Sequence, residues 1–333
     1  MAERIGSEKP LDRRANFEDT AGLLDCLRFD GSRDRVLLDR FGKDRRGALD
    51  RIFAVGMTHG LLAAALDRLV ARGVINADDA VRDAGAGIDI VHQYTTALSY
   101  RQQSQRARLI ELAGALNSCN IEPLLTSCSQ AIWQGEPAWV HARGLAVNVP
   151  APQWPAAKLA LQDTGYRQVP PLDRMQGQGE THWFRPELSG WIALRAPEPR
   201  RAMRGWLAGE ELWHMTTPAV AEHARVRLLP PHLSVLHAIV YDGHAGAWFG
   251  HGKIRLKPLY AFAWRVSQMS ATERTALLRR ANGTAKLKSL LDHWLCAADD
   301  CFSMLPLQAI DLSAGARQQW ARHKSRMMDL SGL

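Results

Sequence analysis

The side chains best suited to chemistry in this 333-residue chain fall in a few places. After the apolar pair Leu124-Leu125 comes Thr126-Ser127-Cys128-Ser129, whose hydroxyls and following amides could receive a phosphate at a helix start. An ordinary N-cap is the plainer reading of the same residues. Arg143, Arg195, Arg200, Arg201 and Arg204 could supply planar, bidentate donors to an anion, although a solvated loop around Pro197 and Pro199 accounts for them more simply. His237, His244 and His251 recur every seven residues with His232 nearby, a pattern that suggests a metal. Gly243, Gly246 and Gly250 interrupt a continuous helix there, so the spacing fixes no ligand geometry and no metal is expected. Asp89, in Gly85-Ala86-Gly87-Ile88-Asp89-Ile90, imitates a catalytic acid but fits a helix start better. Trp133, Trp139, Trp183 and Trp191 could stack a base, with core packing the default.

The elements that must position these residues follow from apolar periodicity. Leu23, Leu24, Leu27, Leu37, Leu38, Phe41, Leu49, Ile52 and Phe53 recur at helical spacing on the way to Leu69. A further helix is expected to open at Asn76-Ala77, and another over 88–116. The texture then changes. Residues 144–149 alternate as a strand does and stop at Pro150, a helix over 156–163 stops at Gly165, and 166–169, 181–184 and 190–194 read as strands. From Ala219 the chain is expected to be helical again, with helices over 233–241, 257–268, 271–281, 285–298 and 313–328. The expected organisation is a frayed segment 1–16, a helical region 17–118, a small α/β core 119–205 and a helical region 206–333. The fold class is therefore α+β, a small mixed sheet flanked by N- and C-terminal helical bundles.

Bulk properties narrow the function classes. Hydrophobic residues make up 46%, enough to bury a core, while the longest apolar stretches fall far short of the roughly 20 residues a bilayer span needs. The first residues, Met1 to Arg14, are rich in charge, so a soluble, untargeted, cytoplasmic protein with no membrane role is expected. Five cysteines without a Cys-x-x-Cys pair suggest reduced thiols, and Cys296 and Cys301 fall on different faces of one helix. Forty-two Lys and Arg against 34 Asp and Glu give a net +8, but the basic residues are dispersed, so nucleic acid is not expected as a partner.

Taken in order, several stretches resemble an uncharacterised bacterial nucleotidyltransferase family of the minimal-nucleotidyltransferase superfamily. They are Leu23-Leu24-Asp25-Cys26-Leu27-Arg28, His59-Gly60-Leu61-Leu62, Ile121-Glu122-Pro123-Leu124-Leu125, the strand ending at Pro150, the helix closing on Gly165-Tyr166, and Ile254-Arg255-Leu256-Lys257-Pro258-Leu259. The resemblance implies three signatures: a strand ending in Leu-Lys-Gly before a helix, two aspartates one residue apart on a strand, and a later Glu-x-His. Together the carboxylates would hold Mg²⁺ against a nucleoside triphosphate. Laid on this chain, Lys and Gly fall on Thr126 and Ser127, the aspartates on Gly144 and Ala146, and the Glu and His on Ala193 and Arg195. By that alignment all three carboxylates are lost.

The resemblance thus implies a degenerate member: a catalytically inactive binding or accessory module, with no cofactor, whose partner is another protein or a phosphate-bearing small molecule. Thr126, Ser127, Ser129, Arg143 and Arg195 are the candidate ligand-binding residues. Two alternatives stay open. One is an active transferase using Mg²⁺ and a nucleoside triphosphate with Glu187 or Asp163 recruited; the other is a basic phosphate-ligand or nucleic-acid binder without chemistry.

Overall fold

A computed structural model describes residues 13–75, 87–140, 144–170, 180–188, 190–195, 209–245, 256–304, 312 and 314–330. Four helices open the chain, α1 (Arg13–Leu27), α2 (Asp34–Lys43), α3 (Arg45–His59) and α4 (Leu62–Ala71), followed by the long α5 (Gly87–Ser118). The Asp44 side chain caps α3 by accepting from Gly47 N, and left-handed Gly60 ends it. The expected helix at Asn76-Ala77 lies outside the described residues.

The sheet begins with β1 (Leu124–Leu125), α6 (Ser127–Trp133), β2 (Leu145–Asn148) and α7 (Trp154–Asp163). It continues through β3 (Arg167–Gln168), β4 (Glu180–Phe184), β5 (Trp191–Arg195), α8 (Gly209–His214), β6 (Thr217–Ala221) and β7 (Ala224–Leu228). Seven strands lie in the order β3-β4-β5-β2-β1-β7-β6. The pairs β2–β5 and β1–β7 are parallel and the rest antiparallel, so the sheet is mixed. Helices α9 (Pro231–Ala245), α10 (Leu256–Gln268), α11 (Ala271–Asn282), α12 (Ala285–Phe302) and α13 (Ala314–Leu330) follow.

The broad α+β class is as expected, with two corrections. Residues from Ala219 were expected to be helical, yet β6 and β7 form a hairpin that joins the sheet at β1. Ala224, Val226 and Leu228 are buried while Arg225 and Arg227 alternate outward, the period of a half-buried strand. Nor are the two sets of helices separate bundles. Leu23, Leu27, Leu62 and Leu69 share one apolar core with Leu233, Leu236, Leu259, Leu291 and Phe302. Helix α9 also runs through Gly243 without a break, because one helical glycine costs only about 1 kcal/mol relative to alanine.

A second core fills one face of the sheet. Leu109, Leu112 and Leu116 of α5 and Ala157 and Leu161 of α7 pack on Leu145, Val147, Ile192, Leu194, Trp183 and Val226. Helix α6 is tied to β2, the Ser129 hydroxyl accepting from Ala146 N at 2.8 Å, while its Ile132 and Trp133 join the second core. Buried Gln130 then ties α6 to the end of β7, donating to Leu229 O at 2.7 Å and accepting from Leu229 N at 3.2 Å. That clamp sets where Pro230-Pro231 start α9, and so where α9 lies against α6. Gln130→Ala should strand both Leu229 groups in the interior and lower stability by about 2 kcal/mol in urea unfolding.

No helix among the described residues is long and apolar enough to cross a membrane.

Candidate functional site

Strand alternation decides what the face opposite the second core presents. Leu145, Val147 and Val149 point into the second core, so Gly144, Ala146 and Asn148 point to the other face. On β5, Ile192 and Leu194 enter the core and leave Trp191, Ala193 and Arg195 beside them. Ala146 and Ala193 are direct partners in the parallel pair. Two of the positions where the resemblance asks for carboxylates thus meet as adjacent methyl groups. Gly144 is closed by its neighbour: a Cβ there would come within 3.0 Å of the Trp191 indole, so an aspartate would have to displace the ring.

The hydroxyls at the start of α6 do not cap it. Thr126 occupies the N-cap position, but its side chain makes no capping bond and accepts instead from Asn148 Nδ2 at 3.0 Å. Ser129 Oγ holds Ala146 N, and Ser127 Oγ lies 3.5 Å from His237 Nδ1 on α9. The N-cap reading is therefore replaced by three contacts to two other elements, two with β2 and one with α9. Ser127 itself has φ 48. Asn120 and Ser303 take such angles just after helices and Glu222 in the β6–β7 turn, where a left-handed residue closes an element. Ser127 opens a helix instead, a placement that costs roughly 1–3 kcal/mol for a residue with a Cβ.

Glu180 and His182 were missed from the sequence. They lie on β4 opposite Arg195 and Ala193 respectively, and therefore on the site face. Glu180 Oε1 lies 3.2 Å from Arg195 Nη2 and 3.0 Å from His182 Nε2, and the His182 ring stands edge-on to Trp191 at 4.7 Å. The signal was present: Glu180-Thr181-His182 is itself a Glu-x-His sequence. The alignment placed those positions on Ala193 and Arg195, one strand away. Among the described residues this face thus carries one carboxylate, already engaged by a guanidinium and an imidazole.

The other expected residues distribute as follows. Arg195 belongs to the cluster; Arg143, Arg200, Arg201 and Arg204 lie outside the described residues. Glu187 is exposed on the β4–β5 turn and pairs with Arg185, and Asp163 is exposed at the end of α7, so neither reaches the site face. Asp89 falls in the first turn of α5. His232, His237 and His244 share α9, while His251 is outside the described residues. Among the described residues no three His, Cys, Asp or Glu side chains gather to hold a metal. Trp133, Trp139 and Trp183 are buried, and Trp191 stays 41% exposed beside the cluster. The Cys26 and Cys301 thiols are pushed up to about 12 by burial, so neither supplies a thiolate.

His237 is packed deeply but keeps part of its surface open. Burial, and secondarily the Arg195 charge, pull its pKa down to about 4. It is therefore a neutral imidazole at ordinary pH. Compared with models of known protein families and with curated proteins, the chain matches none.

Because the folded value lies below that of the unfolded chain, acid protonates the unfolded state first. The stability His237 lends is complete above about pH 6.5 and is lost as pH falls toward 4. The loss is at most about 3 kcal/mol, less what the open side of the ring screens. His237→Gln should flatten this part of the profile when urea midpoints are compared across that range.

Proposed function

We propose that this chain is a nucleotidyltransferase-like scaffold that has given up metal-dependent nucleotidyl transfer and binds a phosphate-bearing ligand without a divalent ion. The observation that carries the reading is the Ala146–Ala193 pair, with Gly144 closed by Trp191 and Glu180 committed to Arg195 and His182. A divalent ion needs several hard oxygens, and one carboxylate shared with two nitrogen groups makes a poor cage. What the face offers instead is donors. Arg195 presents a planar guanidinium, Ser127 a half-buried hydroxyl, and Trp191 an exposed ring against which a flat group can lie.

Charge balance supports the same reading. Glu180 lowers the cost of holding Arg195 in a largely enclosed place, and the pair is close to neutral before a ligand arrives. An incoming phosphate shares the guanidinium with Glu180 and takes hydroxyl donors from the α6 side. Cytoplasmic location and action beside a partner protein remain part of this proposal.

Thermal unfolding with inorganic pyrophosphate and with ADP, each in Mg²⁺ and in EDTA, is the test. Either ligand should raise the midpoint equally in both buffers, corresponding to about 2.7 kcal/mol at a hundredfold excess over Kd. Arg195→Ala should remove most of the shift. A shift that requires Mg²⁺, or transfer of a nucleoside monophosphate to any acceptor, would refute the proposal.

A further inference from the structure

We infer that Ser127 and His237 form a nucleophile–base pair that acts on carboxylic esters. Two independent features of the fold point there. The first is the backbone at Ser127. Strand β1 ends at Leu125, one residue turns the chain, and Ser127 begins α6 with φ 48. A sharp strand-to-helix turn with a strained serine pushes the hydroxyl out of the line of the backbone, as catalytic serines on strand-to-helix turns require. The strain serves no capping purpose, since the α6 N-cap makes no side-chain capping bond. The second feature is the partner. His237 arrives from α9, 110 positions along the chain, with Nδ1 3.5 Å from Ser127 Oγ. Both residues keep surface open to solvent. Catalytic hydrogen bonds of this length in an empty site shorten when substrate fills it.

The groups around the pair also suit a carbonyl. His237 is neutral and so can accept a proton. Arg195 supplies a nearby positive charge for the single oxyanion that an ester develops. In the forward step Ser127 Oγ bonds to the carbonyl carbon while its proton passes to His237 Nδ1. The carbon–alkoxy bond then breaks, and the leaving oxygen takes that proton and departs as an alcohol. Water next attacks the acyl-serine, giving its proton to His237 and then back to Ser127, and a carboxylic acid leaves. Ester and water are consumed, acid and alcohol are formed, and the enzyme is restored. The weak basicity of His237 predicts slow turnover with a clear first acylation.

This inference does not require the phosphate-ligand reading, and its test uses no phosphate. Full-length protein is mixed with p-nitrophenyl acetate, p-nitrophenol release is followed, and the acetylated peptide is mapped. The expected result is a burst of about one p-nitrophenol per chain with the acetyl group on Ser127. Ser127→Gly should abolish the burst while folding at least as well, because glycine accepts the positive φ without strain. His237→Gln should slow the burst by roughly a hundredfold. Ser267→Ala, on α10, should leave it unchanged. The inference is overturned by folded wild-type protein that shows no burst, by an acetyl group mapped to another residue, or by a His237→Gln variant as fast as wild type.

Discussion

The alternation of side chains along β2 is the constraint on which the rest of this structure depends. Leu145 and Val147 must enter the core beneath α5 and α7, and nothing else satisfies them. Gly144, Ala146 and Asn148 then have no choice but the opposite face, and Asn148 there donates to the Thr126 hydroxyl just before α6. Parallel pairing with β5 repeats the division, so Ala193 and Arg195 are delivered beside them in register. A slip of one residue would turn the whole arrangement inside out. The polar cluster is therefore a by-product of how an apolar face is buried.

Within that cluster the decisive feature is how charge is distributed. Glu180 is shared by Arg195 and His182, and Arg195 in turn lowers the basicity of His237. One anion, one cation and two imidazoles are linked across β4, β5 and α9. In a site meant for a metal the carboxylates repel each other until the ion arrives. Here the Glu180 carboxylate is compensated by the Arg195 guanidinium and the His182 imidazole beside it.

Much of the architecture was legible in the sequence, and the failures have physical causes. Helices α2, α3, α10 and α12, and strands β2, β4 and β5, follow from apolar spacing and from stops at Pro150 and Gly165. The β6–β7 hairpin was missed although Ala224-Arg225-Val226-Arg227-Leu228 alternates cleanly, because a run so rich in alanine around it satisfies the helical pattern too. Ala146 and Ala193 lie side by side, while Glu180-Thr181-His182 on the next strand went unread because the resemblance was laid on β5. Ser127 and His237 could not be joined by reading alone. Their contact depends on the Gln130 clamp and on the starting point of α9, both products of the folded chain.

The apolar core shared by the chain's opening helices and its closing ones bears on biosynthesis. Leu23, Leu27 and Leu69 leave the ribosome early, whereas Leu233, Leu291 and Phe302, which cover them, emerge some 160 to 280 residues later. At about 5–20 residues per second, those greasy surfaces stay uncovered for at least several seconds. Closure of that core therefore waits for the last helices, which follow the sheet in the chain.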